Sequence, residues 1–206
     1  MVPSSSERPS VKMRRILFRK DFREDDPSLP EKKHKFYVLK MTWDQAWSKV
    51  DEIQKIIENS EELKNVTIRN LDPERDMEKF LRVYNRSFIS APDPYRSLTI
   101  DDFKHFDPES TFVAVLYGQI VGFIYLTVEP LIKNSVEVGK QGVIAGLGVE
   151  PRYRRRKIAF LLAARAAEFF SENSVDELVC EVYYKNSVSY SFIQNFGMTR
   201  TGTIYL

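Results

Sequence analysis

The run Gly146-Leu147-Gly148-Val149 closes an apolar stretch, and a helical pattern opens at Ile158. Ile158, Leu161, Leu162, Ala166, Phe169 and Phe170 fall on one face at 3.6-residue spacing. Between the two lies Glu150-Pro151-Arg152-Tyr153-Arg154-Arg155-Arg156-Lys157. A strand, a basic loop and a helix start, in that order, restrict the chain to folds built around a β-loop-α unit. The unit also implies chemistry. Free N–H groups and the positive end of the helix dipole attract anions, and five basic side chains from Arg152 to Lys157 add charge-assisted donors. A phosphate-bearing ligand is therefore expected there, against the plain alternative of a solvated basic loop.

At 206 residues the chain can bury a substantial core, as one domain or one domain with an added subdomain. Its 43% apolar and 29% charged residues are those of a soluble globular protein. A formal net charge of only +2 gives no bulk electrostatic argument for nucleic acid. The single cysteine, Cys180, excludes an internal disulfide and a cysteine-cluster metal site, and reads as a buried free thiol in a strand. Two histidines, His34 and His105, do not suggest a metal centre or a triad. No apolar run has the length of a membrane span and no signal peptide is visible, so a cytoplasmic protein without a membrane partner is expected.

Residues 1–10 read as a disordered tail. Residues 11–64 read as a β-β-α extension, with strands at 14–20 and 35–40 and a single helix behind a Thr42/Gln45 capping box. A second unit, residues 65–206, opens with a strand at Val66-Thr67-Ile68. Asp72-Pro73-Glu74 follows as a helix start, leading into Met77, Phe80, Leu81, Tyr84 and Phe88. A proline-bearing loop over 90–97 and a short capped helix over 99–106 come next. Then a hairpin is expected from 111–117 and 120–128, a polar connection over 129–141, and a strand over 143–149. The glycines flanking Leu147 suggest a bulge or a close backbone approach. After the long helix come a strand at 177–183, a helix opened by Asn186 with Val188, Phe192, Ile193 and Phe196 on its apolar face, a stop at Gly197, and a last strand over 198–206.

The loop resembles the acetyl-CoA loop of the GNAT (GCN5-related) N-acetyltransferase family, V-x-P-x-Y-R-G-x-G-[IV]-G/A ahead of a helix. Val149, Pro151, Tyr153, Arg154, Ile158 and Ala159 match in register. Arg155 and Lys157 stand at two usual glycines, which is compatible with the same role only where the backbone needs no positive φ and the side chains point outward. The element order from Val66, β-α-α-β-β-β-α-β-α-β, is also the family's. The resemblance implies an α/β (α+β) fold with a GNAT-type mixed, mostly antiparallel central sheet flanked by helices, carrying the β-β-α extension. It implies acetyl-CoA as co-substrate, held by Leu147 and Val149 through the main chain, by Arg154, Arg155, Arg156, Lys157, Ile158 and Ala159 around the pyrophosphate, and by Asn186 near the pantetheine. No metal is expected. The family's usual last strand is missing, and a strand of the extension or another subunit, as in a homodimer, could fill its place.

Acyl transfer to an amine needs a positioned thioester, a deprotonated amine and a proton for the leaving thiolate. Glu181, five residues before Asn186, is the base candidate, because in some GNAT members acting on protein N-termini a strand glutamate at this spacing has that role. The alternative is an ordinary polar residue on a half-exposed strand. The segment from Asn186 to Met198 resembles N-x-x-A-x-x-L-Y-x-x-x-G-F, with Ile193 in the tyrosine slot. Tyr190, one turn earlier, is the substitute acid, with Tyr183 and Tyr184 as others. Asp93, Tyr95 and Arg96 lie in the loop that walls the acceptor site in the family.

The expected function is N-acetyl transfer from acetyl-CoA to a primary amine by direct attack in a ternary complex. The acceptor is a protein N-terminus for preference, with a lysine or small amine as the other choices. A non-catalytic acyl-CoA- or partner-binding module of the same fold is the alternative. A nucleic-acid-associated protein, using the loop with Arg14-Arg15 and Lys32-Lys33-His34-Lys35, is the weakest reading at this net charge.

Overall fold

The computed structural model describes residues 34–205. The strand expected at 14–20 and the tail over 1–10 lie outside them. In chain order the elements are β1 (Lys35–Thr42), α1 (Trp43–Trp47), α2 (Val50–Glu58), β2 (Val66–Asn70), α3 (Met77–Ile89), α4 (Ile100–Phe103), β3 (Thr111–Leu116), β4 (Gln119–Lys133), β5 (Val136–Val149), α5 (Ile158–Glu172), β6 (Glu177–Tyr183), α6 (Ser187–Asn195) and β7 (Thr199–Tyr205). The seven strands form one sheet in the order β2-β3-β4-β5-β6-β1-β7. Among the described residues only the β5–β6 pair is parallel.

β1 answers the question of the missing strand. It runs antiparallel to β6 on one side and to β7 on the other, with Val38 opposite both Glu181 and Gly202. The extension therefore fills an interior position of the sheet rather than its edge, and no second subunit is required for that strand. Its helices follow directly. Thr42 caps α1 with the expected reciprocal capping box to Gln45, but the helix breaks after Trp47 and restarts at Val50, giving two helices where one was expected. α2 then packs along α5.

Alternation along the strands divides the core in two. Ile124, Leu126, Leu178, Cys180 and Val182 join Leu162, Ala166 and Phe170 of α5 and Ile193 of α6 on one face. Phe123 and Tyr125 join Phe80, Leu81 and Tyr84 of α3 on the other. That second core is aromatic, with Phe80, Phe106 and Phe123 in edge-to-face contact at 4.7–5.1 Å.

Three further expectations are corrected. α3 begins at Met77, not at Asp72: the Asp72 carboxylate accepts from the N–H groups of Glu74 and Arg75, closing a separate turn first. The 129–141 segment is not a connection. β4 and β5 continue as a long ribbon to a turn at Asn134-Ser135, where both residues have positive φ. Val188 does not join the buried face of α6: it sits in the first turn and is 80% exposed. Among the described residues no helix is long and apolar enough to cross a membrane. No group of three or more His, Cys, Asp or Glu residues among them could hold a metal ion.

Candidate functional site

The β5–β6 ladder is short. Gln141 to Ile144 pair with Glu177 to Cys180, and beyond Ile144 the two strands part. A bulge at Ala145, where Tyr125 faces Gly146 but Leu126 faces Ile144, marks the point of departure. From there to Val149, β5 is bonded to β4 alone. The Glu150 N–H donates to the carbonyl of Val121, so by alternation Gly148 and Gly146 also turn to β4 while Leu147 and Val149 turn their backbone groups to the gap. The Val149 carbonyl is taken by Arg154 Nε at 3.1 Å. An extended ligand entering the gap meets the N–H and C=O of Leu147 and the N–H of Val149.

Gly148 is required by close packing rather than by a turn. A Cβ there would lie 2.5 Å from Cε1 of Phe123 and 3.1 Å from Cβ of Ser87 on α3. The absent side chain lets α3 press on the strand just where it leaves β6. The hydroxyls of Ser87 and Tyr84 are buried in that contact without a hydrogen-bond partner.

The basic loop keeps its glycine-like shape without glycines. Arg155 has φ 62° and Lys157 φ 59°, both in the left-handed region. This overturns the expectation that side chains there require negative φ. Each such residue costs about 1–2 kcal/mol. Lys157 has a visible compensation: its Nζ donates to Ser60 Oγ at 2.9 Å, tying the loop to the segment after α2. The N–H groups of Arg155, Arg156, Lys157, Ile158 and Ala159 find no acceptor among the described residues. They surround the start of α5, a helix of 15 residues whose dipole adds to them.

The loop's charges are unevenly employed. Glu150, 4% exposed, accepts from Arg86 at 2.8 Å and Arg152 at 2.9 Å. The Arg154 guanidinium turns inward, donating to the Ser87 carbonyl at 2.7 Å and Ser90 Oγ at 2.9 Å as well as to Val149. It braces the loop against α3 through Nε and Nη2. Arg155 and Arg156 are exposed and meet no carboxylate among the described residues.

At the open end of the gap, Asn186 precedes α6. Its Oδ1 accepts from the Ser189 N–H at 3.0 Å and its Nδ2 donates to Asp93 at 2.5 Å. The loop after α3 is thereby pinned to the start of α6. Burial pushes the Asp93 carboxyl above its usual range, against the pull of that hydrogen bond. Arg96, from the same loop, grips Asp102 of α4 through two nitrogens at 2.5 and 2.8 Å and holds that carboxyl down at about 2.

The residues expected to do chemistry lie on different faces. Glu181 is half-buried, on the α3 face with Val179 and Tyr183. Tyr190 packs on Tyr37 on the α5 face, ring centroids 5.5 Å apart. Ile193, in the tyrosine slot, is buried on that α5 face. Cys180 is 3% exposed and burial lifts its thiol to about 12.

The sequence pattern of the Acetyltransferase (GNAT) family matches residues 77–198. The chain belongs to the GNAT acetyltransferase family. N-alpha-acetyltransferase 30 of Dictyostelium discoideum is 30% identical over 114 residues, which are 55% of this chain and 59% of that protein. Mycothiol acetyltransferase of Thermobispora bispora is 26% identical over 141 residues, covering 66% and 47% of the two chains. The GNAT chain thus spans about half the length of these relatives. Among solved structures, the NatC complex bound to Gag peptide and CoA superposes with a TM-score of 0.54 at 23% identity, over 67% of this chain and 87% of that one. An aminoglycoside N-acetyltransferase in complex with CoA gives 0.54 at 18%, over 66% and 90%. These likenesses establish the GNAT fold.

Proposed function

We propose that the protein is an acetyl-CoA-dependent N-acetyltransferase, with the gap between β5 and β6 as donor site and a primary amine as acceptor. The observation that carries this is the row of free N–H groups from Arg155 to Ala159, set beside the unpaired edge of β5 at Leu147 and Val149. A pyrophosphate suits the first and an amide-bearing arm suits the second. Acetyl-CoA would supply the activated thioester carbonyl, and the remaining work falls to the protein.

The β5 main chain lies alongside the reacting carbonyl, where an N–H at Leu147 or Val149 polarises it as an oxyanion donor does. Glu181, on the α3 face, takes the proton from the acceptor ammonium, directly or through water. In this reading Tyr190, which packs on Tyr37 on the α5 face, supplies the proton for the leaving thiolate. Direct attack follows because the cysteine is buried, neutral and aimed into the core. A protein N-terminus is the favoured acceptor, supported by the likeness to N-alpha-acetyltransferase 30 and by the position of Glu181. In this reading the α3–α4 loop, with Asp93, Tyr95 and Arg96, walls the acceptor side.

The test is transfer of labelled acetyl to a peptide panel with free or blocked N-termini, lysine peptides and small amines. Transfer to free N-termini that falls at least a hundredfold in Glu181→Gln, with donor affinity unchanged, supports the reading. Donor binding without transfer to any amine returns the protein to a binding module. A Tyr190→Phe variant with unaltered turnover removes the tyrosine from the mechanism.

A further inference from the structure

Beneath the closed end of the gap, on the α5 face, lies an apolar cavity of about 70 Å³. Ile144 and Leu147 of β5 and Ile193 of α6 form its wall nearest the gap. Ala163 and Ala167 form the α5 side, and Trp43 and Ile53 of the extension roof the far end. Protein interiors are normally packed without such space. Here the helix presents alanines where larger side chains would close it, and a phenol in place of Ile193 would put a polar group into its mouth. Carbon-lined cavities stay dry and accept hydrocarbon.

We propose that this cavity receives the acyl chain of the donor thioester, so that the enzyme takes straight-chain acyl-CoA donors longer than acetyl. The inference rests on the donor site assigned above. Leu147 belongs to both: its backbone faces the gap and its side chain lines the cavity. A carbonyl held against β5 therefore has its chain directed beneath the sheet, while the opposite face of the carbonyl stays open to an amine from the α3 side. The transfer balances without a further reactant. The amine nitrogen bonds to the acyl carbon, the carbon–sulfur bond breaks with its electron pair on sulfur, and one proton passes from nitrogen to the departing thiolate. The chain itself is unchanged.

Calorimetric titration of the full chain with CoA, acetyl-CoA, butyryl-CoA and hexanoyl-CoA decides the matter. Burial of the added methylenes should tighten binding by about fourfold each until the cavity is filled. Ala163→Leu and Ala167→Leu, checked for folding by circular dichroism, should bind CoA as the wild type does and lose the gain with chain length. Equal affinity for acetyl- and hexanoyl-CoA in the wild type overturns the inference while leaving the donor site intact. A chain-length gain that persists in both leucine variants also overturns it. Failure of CoA itself to bind removes the donor site and the cavity's role together.

Discussion

Asn186 Nδ2 donates to Asp93 at 2.5 Å, joining the start of α6 to the loop that follows α3. Because burial raises the Asp93 carboxyl above its ordinary 3.8, ionising it in the native state costs stability. The sign is fixed: below the unfolded value both states are protonated and nothing is lost, and the loss grows as pH rises toward the native value. Asp93→Asn keeps an acceptor for Asn186 and removes the charge. Its melting temperature should match the wild type near pH 3 and exceed it at pH 7. A difference that does not change with pH would mean that burial of the charge is not what distinguishes the two.

Arg155→Gly should stabilise the protein by about 1 kcal/mol, by relieving the left-handed strain at a residue whose side chain makes no bond. Lys157→Gly should gain less, since it also removes the bond to Ser60. Denaturant titration of the two variants side by side measures the contrast, and equal gains would deny the Ser60 contact any worth.

Gly148→Ala should destabilise by about 1–3 kcal/mol, as the added carbon meets the Phe123 ring and Ser87. The glycine has ordinary φ, so the effect is one of packing. A shortened Phe123→Leu partner should recover part of it, and a double-mutant cycle by thermal unfolding shows whether it does.

Cys180 should resist iodoacetamide at pH 8 in the native protein and react within minutes in denaturant. Burial holds its thiol near 12 and closes access to it. Mass spectrometry reads both states, and rapid native labelling would show that the β6 core opens far more often than its packing implies.

Much of the fold was legible where a residue type permits one conformation. Gly197, at φ 93°, stops α6 as expected, and the Thr42/Gln45 box starts α1. The glycines around Leu147 signalled the bulge in β5, although their closest neighbour proved to be the ring of Phe123. The rest was non-local. Nothing in the sequence near Lys157 names Ser60, and nothing near Arg154 names the carbonyl of Ser87; both bonds exist because α2 and α3 happen to end beside the loop. The long β4–β5 ribbon was hidden by its polar outer residues, which two-sided exposure permits and periodicity alone reads as a connection.

The placement of β1 between β6 and β7 has a consequence for how the molecule assembles. Among the described residues β7 meets no strand but β1, and β1 must wait for β6, whose residues lie about 140 positions further along the chain. Both ladders of β1 close very long loops, so their formation belongs late in folding. Among the described residues, removing β1 would leave β7 with no strand to join and would turn two interior ladders into exposed edges.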